Sequence, residues 1–144
     1  MPKVTVEWEG KMKFSATDES GHTITMDAPT AAGGDNTAPT PLSLILMSVA
    51  GCSGIDIVSI LDKMKVKVEQ FNIEVEGERV DDNPKVFKTV NVVYKLKGEH
   101  LPPDKVERAV KLSVDKYCSA VHIVNKTAQM KFTYEVNGER FALQ

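Results

Sequence analysis

The sequence predicts an α+β fold with a mostly antiparallel sheet, a long buried central helix and a second helix. Alternating apolar and polar residues recur near the start, in the middle and near the end of the chain, as strands require. Between them, residues 42–61 carry one charge, Asp56, and otherwise only apolar and small residues. Because the order is three strands, a helix, two strands, a helix and a strand, we expect helices and strands to be segregated within one 144-residue domain.

Residues 1–27 are predicted to form three short antiparallel strands. Val4, Val6 and Trp8 alternate with polar residues, and the pattern is interrupted at Gly10 and again at Gly21. Residues 28–41 are rich in Gly, Pro and small residues, a composition that favours neither a β-strand nor a helix. They are therefore predicted to form a long loop.

The central helix is predicted to run over residues 41–63. Thr40 supplies the N-cap and Pro41 occupies the first turn. A membrane span is disfavoured, since Asp56 at its centre costs about 2.5–3.5 kcal/mol and no Trp or Tyr marks an interface. A helix apolar on all sides needs cover on all sides, so a second subunit is expected against it.

The rest of the chain predicts a strand pair, a helical region and a last strand. The strand pair covers residues 66–97 and turns at Asp81–Pro84. Residues 103–126 form the second helix region, which starts at a Pro-Pro-Asp sequence. Residues 129–136 alternate again and are predicted to be the last strand.

Composition restricts the function classes. Eighteen basic and 20 acidic residues give a net charge of −2, which does not favour nucleic acid as a partner. The first residues alternate and carry charge, whereas a secretory signal needs an uninterrupted apolar stretch, so a cytoplasmic location is expected. The two cysteines are then expected to be free thiols rather than a disulfide scaffold.

Cys52 lies in an unusual setting within the predicted helix. Gly51 and Gly54 flank it, and a glycine inside a helix costs about 1 kcal/mol relative to alanine, which suggests a close approach to the thiol. Asp56 is one helical turn later and either orients a partner of the thiol or is a polar group satisfied at an interface. A buried, inert cysteine is the alternative interpretation.

Cys118 and His122 are four residues apart, so one helical turn places a thiol beside a base. An inconsequential surface histidine is the alternative for His122. A zinc site from Cys52, Cys118, His22 and His122 is disfavoured because no close Cys-x-x-Cys pair exists. We expect no metal and no cofactor.

Three sequence motifs carry the strongest functional signal, namely residues 39–47 (PTPLSLILM), 50–61 (AGCSGIDIVSIL) and 116–119 (KYCS). They resemble the OsmC/Ohr family of osmotically inducible and organic-hydroperoxide-resistance proteins. The resemblance covers nearly the whole chain and is greatest to the general OsmC-like branch, which shares the sequence Gly-Cys-Ser/Thr-Gly-Ile/Val-Asp.

The resemblance implies an intertwined homodimer and a cysteine peroxidase acting on organic hydroperoxides. Cys52 would be the peroxidatic thiol, and Cys118 would resolve its sulfenic acid as a disulfide that an external dithiol reduces. An apolar pocket would admit the substrate. Its candidate walls are Leu46, Met47, Val49 and Ile55.

The resemblance also implies an activating cation. The hydroperoxidase branch uses an arginine from the N-terminal part of the fold and a glutamate near the start of the helix. Here the helix positions are Leu42 and Ser43, and the first arginine of the chain is Arg79. The candidate replacements for the cation are Lys11, Lys13 and His22.

Two alternatives to the peroxidase remain. One is a catalytically silent dimer that binds a small apolar ligand or a partner, with thiols too far apart to bridge. The other is a thiol redox sensor, in which a Cys52–Cys118 disulfide changes the dimer.

Overall fold

The computed structural model describes residues 1–143. It is an α+β fold, as predicted, with two sheets rather than one. The chain divides into two compact units, Met1–Ile45 and the part from Leu46 onward. The single-domain organisation expected from the chain length stays a prediction.

The N-terminal unit contains the three predicted strands. They are β1 (Val4–Trp8), β2 (Phe14–Asp18) and β3 (Thr23–Met26), and they form an antiparallel sheet in that order. Gly10 and Gly21 adopt positive φ angles of 100° and 89° at the two turns, a conformation that glycine tolerates best.

The loop after β3 is held together by the carboxylate of Asp27. This carboxylate accepts hydrogen bonds from the Ala28 amide (2.7 Å), the Thr37 amide (3.0 Å) and the Thr37 hydroxyl (2.7 Å). A single 3-10 turn, Thr30–Ala32, forms inside the loop. The predicted loop is present, and the sequence analysis did not anticipate this anchor. The Thr37 hydroxyl, followed by the amides, lowers the pKa of Asp27 to about 2.

The long helix α1 has the predicted bounds, Pro41–Lys63. The Thr40 hydroxyl accepts a hydrogen bond from the Ser43 amide at 3.2 Å, as expected of an N-cap. Among the described residues, this is the one helix long and apolar enough to cross a membrane by length and composition. The core helices of soluble proteins pass the same test, and the expectation that no membrane is involved stays a prediction.

The second sheet has the order β4-β5-β6-β7, and the pairs β4–β5 and β6–β7 are antiparallel. The pair β5–β6 is parallel. The sequence missed β7, because the Asn137-Gly138 sequence that ended the last predicted strand is in fact a hairpin turn with φ angles of 50° and 88°. The strands are β4 (Gln70–Arg79), β5 (Phe87–Lys97), β6 (Gln129–Val136) and β7 (Glu139–Ala142).

The connection from β5 to β6 contains the predicted second helix region in three pieces. They are α2 (Pro103–Leu112), a π-helical turn (Ser113–Tyr117) and α3 (Ser119–Val124). A parallel strand pair requires such a crossover, because the chain must return to the opposite end of the sheet. The Cys118 amide donates to the Ser113 carbonyl at 2.7 Å and closes the π-helical turn.

The core of the second unit lies between α1 and the sheet. Val49, Ile57 and Leu61 of α1 are at most 1% exposed, as is Tyr94 of β5. Burying each of these aliphatic side chains contributes about 1.5–3 kcal/mol. The predicted burial of α1 on all sides is not complete in the single chain, because one face remains exposed. Its apolar residues include Met47, Ile55 and Val58.

We predict that Asp27→Asn destabilises the protein above pH 4 and has little effect below pH 2. The pKa of Asp27 is lowered from 3.8 to about 2 in the fold, so its stabilisation is complete above the unfolded pKa and is lost as the pH falls through the folded pKa. Urea denaturation of both proteins from pH 1.5 to 7 measures this. A difference in stability that is independent of pH would contradict the prediction.

Candidate functional site

Helix α1 places Cys52 at a half-buried position. The neighbouring glycines have different surroundings. A Cβ atom on Gly54 would lie 2.9 Å from Cδ1 of Ile73, whereas one on Gly51 would meet no atom within 4 Å. The close approach expected near Cys52 is therefore that of β4, on the Gly54 side, and the Gly51 side is open.

The crossover places Cys118 at the start of α3, where the thiol is 0% exposed. Its Sγ atom accepts a hydrogen bond from the Val121 amide at 3.4 Å and so caps the helix. The fixed position of Cys118 thus comes from two backbone contacts, one at the amide and one at the sulfur.

The Cys52 thiol lies close enough to the Cys118 thiol to act on its pKa. Burial raises the pKa of Cys118 to about 11, and the Cys52 thiol and the Asp56 carboxylate add to this increase. The structure thus brings together the two cysteines that the sequence singled out.

A set of hydrogen-bonded hydroxyl groups lies on the inner side of α1. The buried Tyr94 hydroxyl donates to Oγ of Ser53 at 2.8 Å, and Ser53 donates to the Val49 carbonyl at 2.7 Å. Burial raises the pKa of Tyr94, so the phenol stays neutral. Ser113 donates to Oδ2 of Asp56 at 3.0 Å.

Sequence reasoning missed the roles of Ser53, Tyr94 and Ser113. A detectable signal was present, because each is a polar group at an apolar position of its element, and buried polar groups need partners. Ser113 follows Val106 and Val110 on the apolar face of the second helix region.

The supporting candidates fall into two groups. Asp56 is half-buried beside the thiols, and the half-buried His122 donates its amide to the Cys118 carbonyl at 3.2 Å. Lys11, Lys13 and His22 belong to the N-terminal unit, where Lys11 pairs with Asp35 at 2.6 Å and His22 with Asp18 at 3.0 Å. A role of these three cations toward Cys52 stays a prediction.

An apolar groove of about 720 Å³ lies between α1 and β4. Of the four predicted pocket walls, Ile55 lines this groove. Val49 does not suit the predicted role, because it is 0% exposed and packs wholly in the core. Leu46 is half-buried and Met47 is 52% exposed. The other residues that line the groove are Ala50, Gly51, Gly54, Val58, Ser59, Asp62, Phe71, Asn72 and Ile73.

Within residues 1–143, no three His, Cys, Asp or Glu side chains come together as metal ligands.

The model of the OsmC-like protein family matches residues 33–133, which include both cysteines. The chain belongs to the OsmC-like family. It is 37% identical over 131 residues to the protein YhfA of Escherichia coli K12, covering 91% of this chain and 95% of YhfA.

Solved structures share the fold. A hypothetical protein from Aquifex aeolicus has a TM-score of 0.84 and 29% identity, covering 95% of this chain and 96% of that one. An organic hydroperoxide resistance protein OsmC from Legionella pneumophila has a TM-score of 0.69 and 17% identity, covering 94% and 97%. At this lower identity the similarity concerns the fold alone.

We predict that Cys118 resists alkylation in the reduced native protein at pH 8. Raising its pKa from 9.0 to about 11 lowers its thiolate fraction about 100-fold at this pH, and only the thiolate reacts. Iodoacetamide labelling, mapped by mass spectrometry between pH 7 and 11, measures the rate. Labelling of Cys118 should accelerate up to pH 11, and equal rates in native and guanidine-unfolded protein at pH 8 would contradict the prediction.

Proposed function

We propose that the protein reduces organic hydroperoxides with the Cys52–Cys118 thiol pair. The observation that carries the proposal is that the half-buried thiol of Cys52 lies close to the fully buried thiol of Cys118, and both are free. Membership of the OsmC-like family and the name of the Legionella neighbour support a peroxide-related redox role.

The unequal burial of the two thiols supports an order of reaction. The Cys52 thiolate attacks the terminal oxygen of the peroxide, the O–O bond breaks, and the alkoxide takes a proton to leave as an alcohol. Cys52 is then a sulfenic acid. The Cys118 sulfur attacks it, forming the disulfide and releasing water. An external dithiol returns both residues to thiols.

Cys118 suits the second step and not the first. Its sulfur is inaccessible to solvent, and its raised pKa keeps it protonated at neutral pH. It becomes reactive once the oxidised sulfur is beside it and its proton passes to a neighbouring group. The Asp56 carboxylate, whose charge acts on Cys118, is the acceptor we propose.

The surroundings of Cys52 favour an organic peroxide over hydrogen peroxide. The groove along α1 is lined by Ala50 and Gly51, which precede Cys52 in the helix, and its walls include Ile55 and Phe71. An alkyl group buried there gains about 25 cal/mol per Å² of apolar surface, a gain that hydrogen peroxide lacks. Lys11, Lys13 or His22 remains the proposed source of a cation, and the cytoplasm the proposed location.

A homodimer is part of the proposal. In the single chain, Ile55 is 74% exposed and Val58 is 53% exposed, on the side of α1 away from the core residues Val49, Ile57 and Leu61. Such contiguous apolar surface is typical of an interface. OsmC/Ohr proteins are typically dimeric, and a second copy on this face would also cover the groove.

The first test is consumption of cumene hydroperoxide by the reduced protein, with dithiothreitol as reductant and hydrogen peroxide alongside. We expect faster reaction with the organic peroxide and a Cys52–Cys118 disulfide in the product. Cys52→Ser should lower the rate at least about 100-fold, because it removes the nucleophile. Cys118→Ser should still oxidise once, to a sulfenic acid that dimedone traps.

Persistence of both thiols after prolonged exposure to either peroxide would refute the peroxidase proposal. The same assay separates the alternatives. A disulfide that forms without appreciable turnover favours the redox sensor, and unreactive thiols favour the silent dimer that binds a ligand.

The dimer is tested with Val58→Glu, which places a charge on the exposed face of α1. We expect wild type to sediment at twice the chain mass at micromolar concentration and the variant to sediment as a monomer, because a buried unpaired charge is costly. The control is Asn91→Glu on the opposite face of the sheet from Tyr94, which should stay dimeric. A monomeric wild type, or a dimeric Val58→Glu, would exclude this interface.

A further inference from the structure

Ser113 forms hydrogen bonds with α1, which carries Cys52, and with the amide of Cys118. Its side chain is 0% exposed, and its Oγ atom donates to Oδ2 of Asp56 at 3.0 Å, with the Ser53 carbonyl at 3.4 Å. Its carbonyl accepts the hydrogen bond from the Cys118 amide at 2.7 Å. One residue thus links α1, which carries Cys52, to the π-helical turn that ends at Cys118.

Because of the π-helical turn, the link through Ser113 affects the position of Cys118. Its wider turn places the amide of Cys118 five residues beyond the carbonyl that accepts it. The backbone then leaves the helix at Cys118, with φ −77° and ψ 105°, before α3 begins. The position of the Cys118 sulfur therefore depends on where Ser113 anchors the turn.

A disulfide demands a narrow geometry. The Cα atoms must lie about 4.4–6.8 Å apart and the Cβ–S–S–Cβ dihedral near ±90°, so a small displacement of one element costs much of the bond's stability. Cys52 is on a regular helix and has little freedom to move. The geometry of a Cys52–Cys118 disulfide therefore depends mainly on how Ser113 holds the segment that carries Cys118.

We propose that Ser113 is a positioning residue that sets the approach of Cys118 to Cys52, through its hydroxyl bond to Asp56 and its carbonyl bond to the Cys118 amide. The inference rests on the proposed function for its purpose, since it explains how the resolving step is made fast. It concerns the disulfide itself, however, and is tested without any peroxide.

The test is the equilibrium between the reduced protein and glutathione disulfide, which yields the Cys52–Cys118 disulfide and two glutathione molecules. The ratio of concentrations gives the effective concentration of one thiol toward the other. We expect Ser113→Ala to lower it at least about tenfold, because the bond to a carboxylate is lost. Asp56→Ala should lower it by a similar factor.

Three further variants distinguish positioning from general damage. Asp56→Asn keeps an oxygen acceptor for Ser113 and should stay within about threefold of wild type. The double variant Ser113→Ala/Asp56→Ala should be no worse than either single variant, as expected when both remove one interaction. Ser119→Ala removes an exposed hydroxyl next to Cys118 and should match wild type.

A second readout uses the peroxide reaction. In Ser113→Ala, oxidation of Cys52 should keep its rate within about twofold, while disulfide formation slows at least about tenfold and dimedone traps the sulfenic acid. A merely structural role would slow both steps together. If Ser113→Ala does not fold, as judged by circular dichroism, Asp56→Ala alone carries the test from the other side of the bond.

Two results would overturn the inference. One is an effective concentration within twofold of wild type in Ser113→Ala or, where that variant does not fold, in Asp56→Ala. The other is a wild type that reacts with peroxide yet forms no Cys52–Cys118 disulfide. A protein unreactive toward peroxide whose glutathione equilibrium shifts as described would instead refute the proposed function and leave the role of Ser113 intact.

Discussion

The parallel pairing of β5 with β6 is the constraint on which the site depends. Two parallel neighbours cannot be joined by a hairpin, so residues 98–128 must cross from one end of the sheet to the other. Cys118 lies within this crossover, between the π-helical turn and α3. The register of the strand pair fixes both ends of the crossover and thereby limits where Cys118 can lie. A hairpin in the same place would leave Cys52 without a partner thiol.

The second requirement is a helix that is apolar yet able to hold polar groups near a thiol. Ser53 is a polar group of this kind on the inner side of α1. Its hydroxyl makes two hydrogen bonds, as donor to the Val49 carbonyl and as acceptor from the Tyr94 hydroxyl. The buried hydrogen bonds tie α1 to β5 across the core. Gly54 lets β4 approach, so the helix lies against the sheet on one side while Cys52 keeps partial access to solvent.

Much of the fold was predictable from the sequence, and for identifiable reasons. Thr40 and Pro41 clearly mark the start of helix α1. The N-terminal strands show a strict alternation of apolar and polar residues between turns that contain glycine. The last strand β7 was missed because it is only four residues long, too short to show a clear alternation of apolar and polar residues. The π-helical turn was also missed, since its residues have ordinary helical periodicity and the extra residue in the turn is set by tertiary contacts.

The candidate site was likewise predictable only in part. The cysteines were found from motif resemblance and from the glycines beside Cys52, both of which are local features. The bonds of Ser113 and Tyr94 join residues 57 and 41 positions apart in the chain, and no local pattern encodes such a pairing. A buried hydroxyl indicates from sequence that a partner exists, but the partner's identity emerges only when the crossover is placed over α1.

The unequal burial of the two thiols is a physical means of ordering two reactions of the same functional group. A sulfur in contact with solvent meets substrate first, and a sulfur without access reacts only with what is covalently held beside it. Burial also keeps Cys118 protonated, so in the proposed reaction it would not compete with Cys52 for the peroxide.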